Sequence, residues 1–257
     1  FHGVQIPLIS LWSKNSLGNG EFMDLLPIID FLKKSKFDIL QLLPLNDSGF
    51  DASPYNALSS TALHPIYLSL KNLPDMGLPL PNISHTEKRL DYKSILEKKT
   101  QFLKKYTKYY KKKVKNCANY YRFLETHIHL NDYCLYKVLK EKNNNKPWVE
   151  WPEELKHPSH QAKKHLSVLY DEELSHHMII QFLCHLQLEQ VKRYADKHNI
   201  YLKGDLPILV SPDSADVWAN SEFFDLSQYV GSPPSRFDPE GQNWKFPCYK
   251  WPALEEN

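Results

Sequence analysis

What this chain lacks narrows its chemistry. No apolar run is long enough to cross a bilayer as a helix, so no membrane partner is expected. The four cysteines, Cys117, Cys134, Cys184 and Cys248, lie far apart and form no Cys-x-x-Cys pair. That spacing argues against a redox couple and fits reduced, buried thiols in a reducing compartment. Net charge is only +2 at pH 7, which removes the global case for nucleic acid. Glycine is scarce, at 8 residues against 18 prolines, which excludes collagen-like and flexible Gly-rich chains. There is no G-x-x-x-x-G-K-S/T, no G-x-G-x-x-G and no G-x-S-x-G, so the NTPase, dinucleotide and α/β-hydrolase readings lose their main support. Histidines are plentiful, including His127, His129, His176, His177 and His185. None of the close pairs has the i,i+4 spacing that puts two imidazoles on one helical face. No metal site is expected. No export signal is visible, so the Asn-x-Ser triplets at Asn46 and Asn82 read as chance matches and a cytoplasmic location is expected.

What remains is a globular composition, 42% hydrophobic and 24% charged over 257 residues, enough for one large domain or two small ones. Three segments read as buried parallel strands: Gly3 to Leu11, Phe37 to Leu45 and Ile200 to Val210. Between the first two, Phe22, Leu25, Leu26, Ile29, Phe31 and Leu32 recur at mostly helical spacing, followed by Lys33, Lys34 and Lys36, where the helix dipole favours cations. Strand, helix and strand make one βαβ unit. A Pro- and Asn-rich stretch near 72–86 reads as a boundary. From Asp91 to about Glu141 the pattern is helical, with Leu103, Tyr106, Tyr110, Val114, Cys117, Tyr121, Leu124 and Ile128 three or four apart, and helix returns from about Asp171 to Asn199. The middle of the chain is thus expected to be a helical insertion between strands two and three. Its basic segment, Lys104 to Lys115, interleaves tyrosines that fit the apolar face of a helix, so the lysines read as a solvated face rather than a nucleic-acid surface.

Candidate site residues cluster after the strands. The second strand opens into Asp51-Ala52-Ser53-Pro54-Tyr55-Asn56, which places a carboxylate, a hydroxyl and a flat ring close together. Those groups suit a sugar, whose hydroxyls need polar partners and whose C–H face needs an aromatic platform. Asp205 lies in the third apolar run, where a carboxylate is costly unless it is hydrogen-bonded or serves a site. Pro212 to Trp218 reads as a helix start capped by Asp213 or Ser214. Gly231 to Trp244 is a shaped loop ending in Gln242, Asn243 and Trp244, amides and an indole that suit hydroxyls and stacking.

Together these segments resemble the 4-α-glucanotransferase family, also called amylomaltase or disproportionating enzyme. Leu17-Gly18-Asn19-Gly20-Glu21 is similar to the family's Gly-Ile-Gly-Asp-like loop, and Gln41 to Leu70 to its second strand and Asp-x-Ser-Pro-Tyr loop. Lys203 to Trp218 resembles its third strand, and Gly231 to Trp251 its Gly-x-Pro-Pro-Asp loop and Gly-Gln-x-Trp-Gly continuation. The resemblance runs essentially end to end.

It implies an α/β fold, a (β/α)8 barrel acting on α-1,4-glucans by retaining double displacement, with no cofactor. By motif match Tyr55 would be the aromatic platform beside the cleaved bond, Ser53 and Asp51 nearby polar contacts, and Asp205 a glucose-hydroxyl ligand. Trp244 and Asn243 would belong to the loop over bound glucan. Phe50 sits where some relatives carry a tyrosine of a second, remote glucan site.

Two departures stand out: Ser235 replaces the usual acid, and Lys245 the usual glycine after the tryptophan. The family's nucleophilic aspartate lies in an Arg-Ile-Asp-His-like motif after the fourth strand, and no such motif occurs here. The expectation is therefore a partial TIM barrel holding the first three strands. Residues 1–80 would carry strands one and two, 81–199 the helical insertion, and 200–257 strand three and the glucan-binding loop. Catalytic carboxylates would reside in a C-terminal remainder of the same polypeptide. The competing expectation is a glucan-binding module without chemistry.

Overall fold

A computed structural model describes residues 1–83 and 90–256 of the chain. The elements run β1 (Gly3–Ile6), α1 (Leu25–Lys34), β2 (Ile39–Leu42), α2 (Tyr92–Val114), α3 (Ala118–Thr126), α4 (Leu130–Lys142), α5 (Glu153–Lys156), α6 (His160–Leu169), α7 (Asp171–Lys197), β3 (Tyr201–Lys203), α8 (Ala215–Ala219), β4 (Phe224–Ser232), β5 (Gln242–Tyr249) and α9 (Trp251–Glu255). The first three strands form a parallel sheet in the order β1-β2-β3, with Ile6 opposite Leu42 and Gln41 opposite Lys203. β4 and β5 form a separate antiparallel hairpin. The boundary expected near 72–86 lies partly outside the described residues.

The strands are shorter and wetter than the apolar runs predict. Leu40 and Leu42 are buried, but β1 and β3 alternate between exposed and half-buried positions. Of the third run, only Tyr201 to Lys203 pairs; Leu206 and Ile208 are 82% and 77% exposed. Helices cover one side of the sheet, with α7 packed on β3, α1, α2 and α4. Apolarity alone did not reveal that the remaining strand surface would stay uncovered within this span.

The helices form for local reasons. α1 buries Leu25, Ile29 and Leu32 at i, i+4 and i+7, while Phe31 faces outward, off that stripe. Just before it, Glu21 and Asp24 exchange backbone and side-chain hydrogen bonds as a capping box. The helical pattern from Asp91 breaks twice, giving α2, α3 and α4. Cys117 adopts an extended conformation at the first break. In α2 the rings of Phe102, Tyr106 and Tyr110 stack at centroid distances of 5.8 and 5.5 Å; Tyr106 is buried, Tyr109 faces outward, and Lys104, Lys105, Lys108, Lys112 and Lys113 are exposed.

Two features join α7 to the segment after β2. Gln181 of α7 accepts from the Leu63 N–H (2.9 Å) and donates to the Leu63 carbonyl (2.8 Å). Six residues on, Gln187 does the same for Ser69, at 2.8 and 2.9 Å. The strap from Leu63 to Ser69 therefore lies along α7 with its backbone satisfied. Beneath it, Lys99 of α2 is fully buried, donating to Glu21 Oε1 at 2.7 Å and to the Ile66 carbonyl at 2.6 Å. Burial holds this ammonium below the usual lysine range, against the pull of Glu21. One contiguous apolar core spans both the strands and the insertion helices.

Glu21→Gln would take the paired carboxylate from the buried Lys99 ammonium and leave the more distant Asp24 as its nearby negative charge. We expect it to lower unfolding free energy by about 3–5 kcal/mol, measured by urea denaturation; an unchanged midpoint would contradict the pairing.

Candidate functional site

β2 ends at Leu42, and the chain then makes a closed loop before returning as an isolated antiparallel bridge between Asn46 and Leu63. Asp47 organises the base of this loop. It is 1% exposed. Its Oδ1 accepts the Gly49 N–H at 2.8 Å, and its Oδ2 accepts the Tyr133 hydroxyl at 2.6 Å and Lys137 Nζ at 2.9 Å. Burial by itself pushes the Asp47 carboxyl up, but the Lys137 charge, with help from His64 and the Tyr133 hydroxyl, outweighs it and holds the group well below the carboxylate range. Gly49 has φ +61°, and a Cβ there would meet Leu58 at 2.8 Å, so the turn requires glycine.

His64 closes the other side. Its Nδ1 accepts the Ile66 N–H at 3.2 Å, which puts the ring proton on Nε2. Nε2 lies 2.6 Å from the Tyr92 oxygen, and the Tyr92 hydroxyl donates to the Gly49 carbonyl at 2.8 Å. Burial lowers the His64 pKa to about 4 despite the neighbouring Asp47.

On this base stand the residues singled out from sequence. Asp51 Oδ1 accepts the Ser53 N–H at 2.9 Å and Oδ2 accepts the Asn56 amide at 2.8 Å, so Asp51 shapes the turn that carries Ser53 and Tyr55. Ser53 is exposed, and the Tyr55 ring is 52% exposed. Phe50 lies at the edge of a cavity of about 370 Å³ between this loop and α2, α4 and α7.

Asp205 follows β3 by two residues and is half-buried, outside any strand. The burial penalty expected for a carboxylate inside a strand therefore does not arise. Because β2 and β3 are parallel neighbours, Asp205 leaves the sheet at the same end as the Tyr55 loop. Hydrogen bonds tie the two segments together: Ser211 N–H to the Ala57 carbonyl at 3.0 Å, Ala215 N–H to the Leu58 carbonyl at 2.8 Å, and Ser60 to the Asp216 carboxylate. Ser214 is the cap of α8, accepting the Val217 N–H. Asp213 instead reaches the insertion, where it accepts the Tyr136 hydroxyl at 2.8 Å, the Trp148 N–H at 3.0 Å and Lys140 Nζ.

Gly231 to Trp244 is not the irregular loop the sequence suggests but part of the β4–β5 hairpin. Val230 pairs with Phe246 and Gly231 with Asn243, so Trp244 and Lys245 bulge out between them. A Cβ at Gly231 would strike the Gln242 carbonyl at 1.9 Å, which is why the strands can approach so closely here. Gln242 accepts the Trp244 indole N–H at 2.9 Å, and Asn243 Oδ1 accepts the Lys245 N–H at 2.8 Å. Trp244 is 46% exposed. The Tyr249 hydroxyl donates to the Ile208 carbonyl at 2.7 Å, which anchors the hairpin to the segment after β3. Asp51, Ser53, Tyr55 and Asp205 are thus brought to one end of the sheet. Among the described residues, no hydrogen bond joins Trp244 or Asn243 to the Tyr55 loop.

The 4-alpha-glucanotransferase family profile matches residues 6–257. The chain belongs to the 4-alpha-glucanotransferase family. It is 39% identical over 267 residues to the 4-alpha-glucanotransferase of Chlamydia pneumoniae, covering all of this chain and 50% of that protein. To its counterpart from Chlamydia caviae it is 38% identical over 270 residues, again covering 100% of this chain and 50% of the relative. The fold matches that of Streptococcus agalactiae amylomaltase, solved in complex with acarbose, with a TM-score of 0.86, 26% identity, and coverage of 99% of this chain and 54% of that one. The chain spans about half the length of the curated relatives it matches.

The two departures from the family motifs have structural counterparts. Ser235 Oγ accepts the Asp238 N–H at 3.1 Å and the Phe237 N–H at 3.3 Å, so it caps the hairpin turn as a short acid would. Lys245 sits at φ +60°, the left-handed region that glycine occupies without strain. Sequence reasoning missed Asp47, His64, Tyr133 and Lys137. The available signal was a pair of Tyr-x-x-x-Lys spacings in α4, at Tyr133/Lys137 and Tyr136/Lys140, which place each hydroxyl and ammonium one turn apart on the same side of the helix.

Two outcomes are expected. Lys245→Gly should stabilise the chain by about 1 kcal/mol through relief of the left-handed strain, read as a raised denaturation midpoint; a lowered midpoint would contradict it. His64 titrates near 6.5 when unfolded but near 4 when folded, so between those values the unfolded state binds more protons and stability falls as pH falls. His64→Gln should remove up to about 3 kcal/mol of that decline between pH 6.5 and 4, measured by denaturation at several pH values. An identical slope in the variant would exclude His64 as its source.

Proposed function

We propose that this chain is the glucan-gripping part of a 4-α-glucanotransferase, which moves a segment of an α-1,4-glucan to the 4-position of an acceptor glucan or glucose. The observation that carries this reading is the family match over residues 6–257, in a chain whose Asp51, Ser53, Tyr55 and Asp205 leave neighbouring parallel strands at one end. In barrel enzymes that end bears the active site. The three strands serve as the first three of a (β/α)8 barrel. Residues 1–80 and 200–257 contribute barrel parts, and 81–199 the helical insertion. Proposed substrates are maltooligosaccharides, starch or glycogen, and the proposed location is cytoplasmic.

The chemistry proposed is retaining double displacement: one carboxylate attacks the anomeric carbon, and a second carboxyl protonates the leaving oxygen and then deprotonates the acceptor hydroxyl, the two about 5–5.5 Å apart. Neither carboxylate is assigned to these residues; both belong to the further length that the relatives have. The residues here would grip. The half-exposed Tyr55 ring supports the C–H face of a glucose unit, Ser53 meets its hydroxyls, and Asp51 offers the lone pairs that its turn leaves unused. Asp205 accepts from a hydroxyl near the scissile bond. Trp244, held by Gln242, covers the chain with Asn243 beside it.

The test is maltotriose disproportionation by the full-length protein, with released glucose as readout. Tyr55→Ala should lower kcat/KM roughly tenfold to a hundredfold and Asp205→Asn roughly tenfold, both with an unchanged thermal midpoint. Acarbose binding without any glucose release would favour a non-catalytic binding module. Wild-type turnover in both variants would remove these residues from the site.

A further inference from the structure

We propose that α4 is a positioning helix that sets the register between the two substrate-bearing loops. The proposal rests on the reading of those loops given above and adds to it a role for the insertion. α4 carries two Tyr-x-x-x-Lys clamps offset by three residues. Tyr133 and Lys137 hold Asp47, at 2.6 and 2.9 Å. Tyr136 and Lys140 hold Asp213, the tyrosine at 2.8 Å to both its carboxylate and its backbone carbonyl. Each aspartate belongs to a different loop. Asp47 lies at the base of the loop bearing Asp51, Ser53 and Tyr55. Asp213 lies in the segment that starts at Asp205.

A single rigid helix therefore grips both loops by charge-assisted hydrogen bonds, which are stronger and more directional than neutral ones. The loops are in turn joined to each other at Ala57–Ser211 and Leu58–Ala215. Each clamp pairs a donor hydroxyl with a neutralising ammonium on a carboxylate, buried at Asp47 and half-buried at Asp213. Asp47 is almost wholly buried, so its hold cannot be exchanged for solvent. The consequence is geometric. The position of the Tyr55 ring relative to the Asp205 carboxylate is fixed by α4, an element of the insertion that itself contributes no proposed substrate contact. Tyr133, Lys137, Tyr136 and Lys140 are positioning residues for glucan transfer.

Phenylalanine keeps each ring and removes only the hydroxyl, so Tyr133→Phe and Tyr136→Phe in the full-length protein are the informative variants. Each should lower kcat/KM for maltotriose transfer roughly tenfold. The double variant should lose little more than the worse single one, because one displaced loop already breaks the register. Amide hydrogen exchange at Leu58 and Ala215 should speed up roughly tenfold in the same variants. Tyr106→Phe removes a buried hydroxyl that bonds the Pro74 carbonyl instead; it should leave kinetics and both amides unchanged. Lys137→Arg should retain slow exchange and Lys137→Met should lose it, which keeps the test decisive if Tyr133→Phe fails to fold. Wild-type exchange at both amides in folded variants, or kinetic losses that simply multiply in the double variant, would overturn the proposal. If the unsubstituted protein transfers no maltotriose, the proposed activity falls, and the exchange measurements still decide the clamp.

Discussion

The Asp47 carboxylate sits where water cannot reach it, and a charge so placed has to be answered by donors and a counter-ion or it would lose its proton. Lys137 supplies the charge, Tyr133 the hydroxyl and Gly49 the backbone N–H. Two of those three partners come from a helix that is almost ninety positions away along the chain. The loop after β2 can therefore keep its shape only while the insertion is folded against it. Such a group is a strong constraint because its alternatives are poor: without Lys137 the carboxylate is stranded, and without Asp47 the Gly49 turn loses its closing bond.

The same principle recurs one layer below. Lys99 and Glu21 form a buried pair between α2 and the loop after β1, and Gln181 and Gln187 pair the backbone at the two ends of the strap, Leu63 and Ser69. These contacts join the insertion to the strands through polar groups that admit few substitutes, while a continuous apolar core supplies the bulk of the burial. The insertion and the sheet consequently share their stability. The exposed Tyr55 and Trp244 rings stand on top of this frame, and the hairpin bulge that presents Trp244 tolerates a lysine in a left-handed conformation. Strain at a surface bulge is supportable because two paired strands flank it.

Much of this was legible in the residues. The βαβ start, the helical middle and the loop that bears Asp51, Ser53 and Tyr55 follow from apolar spacing and turn chemistry, whereas Asp205 reads as part of a strand and lies beyond it. The ordered motifs placed the chain in its family. Legibility failed where tertiary partners decided. The third apolar run predicts a strand from Ile200 to Val210, yet pairing stops at Lys203 because only β2 is there to pair with it within this span. Gly231 to Trp244 reads as a loop from its prolines and glycines, but those residues are the turn and close approach of a hairpin. Asp213 and Ser214 both read as candidate helix caps; Ser214 takes that role, and only the packing shows that Asp213 reaches α4.

By itself, the order of residues determined the local elements and the chemical character of the loops, since periodicity, turn propensity and short motifs act over a few neighbours. Only the tertiary structure decided which carboxylates are structural and which face solvent. Asp47, Asp51, Asp205 and Asp213 are the same residue type in similar polar loops, and nothing within a few residues separates them. What separates them is whether a distant tyrosine and lysine arrive to hold the carboxylate, as they do at Asp47 and Asp213, and that depends on how α4 packs.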